Sequence, residues 1–115
     1  MLARQYRLKS SRDISRVFRT GRFGRSDSLL VKAAPNHLAY SRAVVVVSKK
    51  VDKRAVVRNR NRRRLVAELN KRWQTVRPGY DIVITVRADL AETDLAELQQ
   101  QLSRSLAKAQ VIAED

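Results

Sequence analysis

The feature that most limits how this chain can fold is a cationic segment, residues 58–64, which holds five arginines and two asparagines. No Gly or Pro interrupts the sequence from Asp52 to Trp73, so we expect one long helix with Asp52 as its cap. Like charges four residues apart destabilise an isolated helix by roughly 0.2–0.5 kcal/mol per pair. Packing of apolar residues such as Val66 and Leu69 must offset that cost, while the arginine half stays outside the core. At 100° per residue, one line of this helix, of which only the second half is apolar, holds Ala55, Arg62, Val66, Leu69 and Trp73.

The positive charge of the chain is large and unevenly distributed. The net charge is +14: residues 1–79 carry 22 Lys and Arg against 4 acids, whereas residues 80–115 carry 3 against 7. Each Lys or Arg that meets a phosphate releases condensed counterions, so this charge favours a polyanion, and nucleic acid in particular, as the partner. The alternative is a merely solvated charged helix, but such a helix usually pairs its cations with acids, and residues 58–64 contain none.

Arginine rather than lysine fills residues 58–64, and this favours structured RNA over DNA. The planar guanidinium can bridge two phosphate oxygens and can also stack on an exposed base. DNA stays possible on charge alone. However, no helix-turn-helix pair precedes the segment, no heptad zipper follows it, and a predicted strand comes directly before it. The segment is therefore predicted to be an RNA-docking helix.

Composition excludes several classes of function. The chain has no cysteine and one histidine, His37, so disulfides, thiolate metal sites, zinc centres and a histidine relay are not expected. We predict no catalytic residue, no metal ligand and no bound cofactor. The longest apolar run, residues 43–47, is too short to cross a bilayer, and no secretory leader opens the sequence, so a cytoplasmic protein without a membrane contact is expected. The length fits a single domain, residues 1–115.

The amino-terminal region is predicted to form a surface arm and a short helix. The arm covers residues 1–9 and is anchored by Tyr6 and Leu8. The helix covers residues 11–20, with Ser10 or Ser11 as its cap and Gly21 at its end. Phe18 on this helix is either a core residue or an aromatic that faces a groove, because arginines flank it. Residues 21–28 are expected to be a mobile basic loop.

Three strands and a last helix are predicted from the remaining pattern. The strands cover residues 28–34, 42–48 and 80–87. The valine-rich strand 42–48 is expected to be central, because apolar residues point to both of its sides. The last strand alternates apolar residues with a partly polar set, which leaves one sheet face open. The last helix follows residues 89–93 and packs through Leu95, Leu98, Leu102 and Leu106.

Three stretches of the sequence together resemble the protein subunit of bacterial ribonuclease P. They are RLKSSRDISRVFRTGR at 7–22, VVVVSKKVDKRAVVRNRNRRRL at 44–65 and YDIVITVRADL at 80–90. The resemblance implies a two-layer α/β sandwich in the order α-β-β-β-α-β-α. Its small mixed sheet has a left-handed crossover that carries the arginine-rich helix, against the usual rule. The third strand would then lie in or beside residues 36–52.

The resemblance also implies a function in which the protein is not the catalyst. In that family a large RNA with bound Mg²⁺ cleaves precursor tRNA, and the protein binds this RNA and holds the 5′ leader in a cleft. The RNA-binding residues implied here are Lys49, Lys50, Lys53, Arg54, Arg58, Asn59, Arg60, Arg62, Arg63 and Arg64. The leader-cleft residues implied are Arg12, Ile14, Phe18, Lys32, Val46, Thr85 and Arg87.

The sequence departs from the family pattern at four of its positions. Ile14 and Lys32 stand where the family has cleft aromatics, which implies less stacking and an added phosphate contact. Asn61 stands where an apolar residue is usual, and Val66 where a basic residue is common. The partners implied are ribonuclease P RNA and the precursor tRNA leader, with a monomeric protein in isolation. The rival functions are a structural ribosomal or ribosome-associated RNA-binding protein and a self-contained nuclease.

Overall fold

The computed structural model of the protein describes residues 2–113 and contains one four-stranded sheet and three α-helices. The predicted order α-β-β-β-α-β-α is confirmed. Short 3-10 turns occur at Arg4–Tyr6 and Trp73–Thr75. The elements are α1 (Ser11–Thr20), β1 (Arg22–Arg25), β2 (Leu29–Pro35), β3 (Arg42–Val47), α2 (Ala55–Lys71), β4 (Tyr80–Val86) and α3 (Leu95–Lys108).

The sheet is mixed, with the strand order β1-β2-β4-β3. β1, β2 and β4 pair antiparallel, whereas β3 runs parallel to β4 and reaches it through α2, which is the predicted crossover; its left-handed sense stays a prediction. The prediction that the valine strand is central is wrong, because β4 takes the place between β2 and β3 and leaves β3 at the edge. Ala43, Val45 and Val47 are buried on the α2 side of β3, whereas Val44 and Val46 on its other side are half-buried.

The strand that the sequence pattern did not locate is β1. It lies in residues 21–28, which were predicted to be a mobile loop, and no strand besides β3 occurs in residues 36–52. Gly24 explains why this segment can lie so close to a helix. It pairs with Val31 and faces α3, where an added Cβ would lie 2.7 Å from the backbone nitrogen of Ala109. Only glycine permits this approach without a shift of the backbone. Residues 36–41 form an irregular turn instead, in which His37 has a φ of 61°.

Two apolar clusters hold the helices on opposite faces of the sheet. One face packs on α2 and α3 through Leu65, Leu69, Leu98, Leu102 and Leu106, all fully buried. On the other face, Val17 of α1 packs with Leu8, Ala34 and Val83. The predicted leucine stripe of the last helix is confirmed except for Leu95, which is 48% exposed because α3 begins there, directly after its cap Asp94.

Two details of the long helix α2 differ from the prediction. Asp52 does not cap it: Arg54 is the N-cap residue, and the Asp52 carboxylate accepts a hydrogen bond from the Arg54 backbone N–H at 2.8 Å in the turn before it. The predicted line is only partly right: Leu69 is buried and Val66 and Trp73 pack against the core, but Trp73 follows the helix and the buried face is centred elsewhere. The buried residues of α2 are Val57, Asn61, Leu65, Glu68 and Leu69.

Hydrogen bonds to distant residues allow the polar side chains of α2 to be buried. The Asn61 Oδ1 atom accepts from the backbone N–H of Leu90 at 2.7 Å, and its Nδ2 donates to the Val57 carbonyl at 2.9 Å. Glu68 accepts from the Nε2 of Gln99 at 3.0 Å. A buried polar group with partners loses little on leaving water. The inner face of α2 therefore includes part of the arginine half, which was expected to stand clear of the core.

Replacing Glu68 by Gln should make the free energy of unfolding depend less on pH in acid. Burial alone would raise the pKa of Glu68, but hydrogen bonds from Gln99 and Lys71 outweigh it, so the pKa is below the usual 4.5. A carboxyl whose pKa falls on folding stabilises the protein above its unfolded pKa, and that stability is lost as pH falls through the folded pKa. Urea unfolding at pH 7 and below pH 4.5 measures this. Glu68→Gln should lower the free energy of unfolding by about 1 kcal/mol at pH 7 and by less in acid. An equal loss at both pH values would contradict the lowered pKa of Glu68.

Candidate nucleic-acid interface

Four arginines in the first half of α2 form a surface that we call the arginine front: Arg58, Arg60, Arg62 and Arg63. The last three are exposed, whereas Arg58 is half-buried and donates to the carbonyl oxygens of Asp52 at 3.1 Å and Lys53 at 2.7 Å. Within residues 2–113, no carboxylate lies within ion-pair distance of any of these four side chains. Their charges are held on a rigid helix and stay uncompensated by the part of the fold that the structure describes.

Two other arginines of the predicted RNA-binding set have partners inside the fold. Arg54 pairs with Asp52, with Nη2 3.0 Å from Oδ2. The hydrogen bond from Arg54 lowers the pKa of Asp52 to about 2, and the same hydrogen bond raises the pKa of Arg54. Arg64 donates to the carbonyl oxygens of Leu90 and Thr93 and so clamps the loop between β4 and α3. An RNA contact by either arginine stays a prediction, and it would compete with these bonds.

The rest of the predicted RNA-binding set surrounds the arginine front. Lys49, Lys50 and Lys53 are exposed in the turn between β3 and α2. Asn59 is half-buried and accepts a hydrogen bond from Arg62, which fixes the direction of that guanidinium. The chain thus brings the whole set to the amino-terminal end of one helix and the turn that precedes it.

A second surface lies on the side of the sheet that α1 covers only in part, and we call it the open sheet face. Val83 in its centre is buried beneath α1, while Thr85, two residues further on, is half-buried. Strand pairing places Leu30 and Val46 on either side of Thr85, and Lys32 and Val44 on either side of Val83. Residues directly opposite in paired strands share a face. The prediction that one sheet face stays partly open is therefore confirmed.

Phe18 faces this open surface and not the core. It is 42% exposed, whereas the neighbouring Val17 is fully buried between α1 and the sheet. The Nζ of Lys32 lies 5.7 Å from the centroid of the Phe18 ring and donates to the Phe18 carbonyl at 3.0 Å. The groove-facing alternative is thus the correct one, and two predicted cleft residues are in contact.

The other predicted cleft residues surround this pair at different depths. Val46 and Thr85 are neighbours across β3 and β4 and are both half-buried. Ile14 packs with the apolar cluster beneath α1, and only part of its side chain is exposed. Arg12 is exposed in the first turn of α1, and Arg87 is exposed directly after β4. In the described chain, no hydrogen bond joins Arg12 or Arg87 to Phe18 or Lys32.

Phe23 is an aromatic of the open sheet face that the sequence-based site did not include. It is 62% exposed and lies opposite Lys32 in the pairing of β1 with β2, so it shares the face of Lys32. Residues 21–28 were expected to be a loop, and the side chains of a loop cannot be assigned to one face of a sheet. The sequence Arg-Phe-Gly-Arg does not alternate apolar with polar residues, so periodicity offered no signal for this strand.

A buried carboxylate joins the elements that border the open sheet face. Asp81 at the start of β4 is fully buried and accepts hydrogen bonds from Arg16 of α1 at 2.9 Å, Arg42 of β3 at 2.8 Å and Asn36 at 3.0 Å. Arg42 also meets Asp13 at 3.2 Å. The hydrogen bond to Asp81 raises the pKa of Arg42 although burial opposes it. This network fixes α1 across one end of the sheet and leaves the other end uncovered.

The described part of the chain contains neither a metal-type cluster nor a membrane-spanning helix. No group of three or more His, Cys, Asp or Glu residues within residues 2–113 is arranged to hold a metal ion. None of the described helices is long and apolar enough to cross a membrane.

Comparison with known proteins matches this chain to one family. The family model described as Ribonuclease P matches residues 2–110. The chain belongs to this family. Curated relatives named ribonuclease P protein component are 33% identical in Cyanothece sp., covering 97% of this chain and 98% of the relative. In Roseiflexus castenholzii the relative is 37% identical, with 96% and 91% covered.

Solved structures of ribonuclease P proteins share the fold. The protein from Staphylococcus aureus has a TM-score of 0.80 and 25% identity, with 93% of this chain and 97% of that chain covered. The protein from Thermotoga maritima has a TM-score of 0.75 and 26% identity, with 84% and 91% covered. The resemblance seen in the sequence and the ribonuclease P fold are both confirmed. So is the role that the resemblance implies, a protein subunit that works with an RNA in the 5′ processing of tRNA.

Proposed function

We propose that this ribonuclease P protein carries no catalytic group of its own and that an RNA subunit with bound Mg²⁺ cleaves the precursor tRNA. In this proposal, the arginine front holds the catalytic RNA, and the open sheet face holds the 5′ leader. The observation that carries the proposal is the arginine front itself. Exposed guanidiniums on a rigid helix, free of carboxylate partners within residues 2–113, are suited to the phosphates of a folded RNA.

The chemistry of the open sheet face supports the leader as its ligand. A single strand needs a surface that stacks bases and neutralises phosphates without reading a duplex. Phe18 and Phe23 supply exposed aromatic rings next to Lys32, which supplies a cation. Half-buried Val46 and Thr85 continue the same surface. Arg12 and Arg87, both exposed, are proposed to meet leader phosphates at its borders.

The Mg²⁺ of the reaction is assigned to the RNA in this proposal. Phosphate and carbonyl oxygens of a folded RNA suit Mg²⁺, which keeps most of its water and binds few ligands directly. The net charge of +14 would add protein cations to the same assembly, so that less Mg²⁺ is needed to neutralise the RNA. The same charge opposes self-association, and we infer a monomer in the cytoplasm until RNA binds.

Reconstitution with RNA tests this function directly. We expect the purified protein to raise the rate at which ribonuclease P RNA cleaves precursor tRNA at low Mg²⁺, and to cleave nothing alone. A structural ribosomal protein would leave the rate unchanged. Cleavage by the protein without added RNA would instead support the self-contained nuclease and contradict the proposal.

Replacing Phe18 by Ala should weaken binding of leader-bearing precursor tRNA to the holoenzyme by about 1–3 kcal/mol, because one stacked base loses its partner. Fold stability should change little, since Phe18 is 42% exposed. Equilibrium binding of precursor tRNA with and without its leader measures the effect. Tyr40→Ala is the matched control, because Tyr40 is 38% exposed and lies against Tyr6 instead of the open sheet face. An equal loss for leaderless tRNA would contradict a leader contact.

A further inference from the structure

A groove beside the arginine front shares Arg62 and Arg63 with it, but its apolar lining has no part in the RNA docking or leader binding described above. It lies between the amino-terminal arm, the free edge of β3 and α2, and has a volume of about 410 Å³. Its walls include the apolar side chains of Leu8, Val44 and Val66. Its basic lining residues are Arg7, Lys9, Arg62 and Arg63, and no acidic residue of the described chain lines it.

The edge of β3 contributes backbone groups to the floor of this groove. The carbonyl of Ala43 points away from β4 and accepts the backbone N–H of Leu8 at 2.9 Å. Groups two residues apart in a strand point to the same side, so the N–H and C=O of Val45 also point to this free edge. There they form no hydrogen bond with another residue of the described chain. Val45 is only 5% exposed and lines the groove.

We propose that this groove receives one unpaired nucleotide of the RNA partner, an inference that rests on the proposed RNA-binding function. The base lies between the arm and Val66, and its polar edge meets the N–H and C=O of Val45. Its phosphate contacts Arg62 and Arg63, which belong both to the arginine front and to the groove. The groove thereby adds recognition of an extruded base to the charge-based contacts of the helix.

Size and charge favour a nucleotide over other occupants. A volume of about 410 Å³ falls within the roughly 300–1,000 Å³ of small-molecule sites. An apolar slot with a cationic rim fits a flat base joined to an anionic phosphate. One free donor and one free acceptor on the same edge match the hydrogen-bonding edge of a base, which is how unpaired RNA bases are read. A peptide strand added to β3 is the competing occupant, but the four cations give it no advantage.

Two substitutions of Val66 test the groove in the assembled complex. Val66→Asp places an anion in the slot, and Val66→Phe fills it while keeping an apolar surface. Ala67→Asp is the matched control, because Ala67 is exposed on the adjacent position of α2 and receives the same charge. We expect both Val66 variants to bind ribonuclease P RNA about 5- to 100-fold more weakly than Ala67→Asp does, as for loss of one stacked base. Thermal unfolding verifies that each variant is folded.

The outcomes separate this inference from the proposed function. If the wild-type protein promotes cleavage but both Val66 variants bind RNA as well as Ala67→Asp does, the groove inference is wrong and the function stands. If the wild-type protein does not promote cleavage at all, the proposed function is wrong, and the groove inference, which rests on it, is wrong with it. A loss of protein self-association in the Val66 variants, with unchanged RNA affinity, would assign the groove to a second chain and overturn the inference.

A titration of the isotope-labelled protein with small probes provides an independent measurement. The probes are the four ribonucleoside 5′-monophosphates, with ribose 5-phosphate as the control that lacks a base. The amide signal of Val45 and the methyl signals of Val66 should shift with at least one nucleotide and not with ribose 5-phosphate. Equal shifts with ribose 5-phosphate would show a phosphate site without base recognition and would overturn the inference.

Discussion

Replacing Asp81 by Ala should lower the free energy of unfolding by about 3 kcal/mol. Asp81 is fully buried and accepts from Arg16, Arg42 and Asn36, so its removal leaves Arg16 without a carboxylate and Arg42 with only Asp13. Breaking a buried ion pair costs roughly 3–5 kcal/mol, and the lower value applies because both arginines keep part of their side chains in water. The total free energy of unfolding of a domain of this size is roughly 5–15 kcal/mol. Urea unfolding followed by circular dichroism measures the loss.

Asp27→Ala is the control for the Asp81 prediction. Asp27 is exposed, so the same change of charge occurs without loss of a buried contact, and stability should change by less than about 0.5 kcal/mol. Asp81→Asn should fall between the two, since an amide still accepts one hydrogen bond from the network. If Asp81→Ala were as stable as Asp27→Ala, the network would not hold α1 on the sheet.

Removing three charges of the arginine front should weaken binding to ribonuclease P RNA by roughly 10- to 100-fold at physiological salt. Arg60, Arg62 and Arg63 are chosen because all three are exposed, whereas Arg58 also supports the turn before α2. Each phosphate contact contributes roughly 0.7–0.9 to the slope of log affinity against log salt. The triple Ala variant should therefore reduce that slope by about 2–3. Filter binding over a range of salt concentrations measures affinity and slope together.

The control for the arginine front is a second triple variant with the same loss of charge. Arg77, Arg104 and Lys108 are exposed near the carboxyl ends of α2 and α3, at the far end of α2 from the front. Replacing these three by Ala lowers the net charge equally but should leave the affinity within about threefold of the wild type. Equal losses in both triple variants would mean that RNA senses only the net charge.

Local sequence patterns were sufficient for most elements of the fold and failed where tertiary contacts decide. The helix bounds Ser11–Thr20 agree with the prediction from local pattern, whereas the full order of elements was implied only by the family resemblance. β1 was missed because four residues with outward arginines form a strand only when β2 pairs with them and α3 covers Gly24. The buried face of α2 was misplaced because Asn61 and Glu68 are buried through partners that lie 29 and 31 residues away.

What the sequence determined by itself was the class of partner and the element that carries it. Charge adds up along the chain whatever the fold, so the excess of arginine and its position on one helix could be known in advance. The tertiary structure decided which cations stay available, because Arg54 and Arg64 find partners inside the fold while Arg60 and Arg63 do not within residues 2–113. It also decided that Phe18 faces outward and that β3 is an edge. Those outcomes depend on hydrogen bonds and packing between residues far apart in sequence, which local periodicity does not contain.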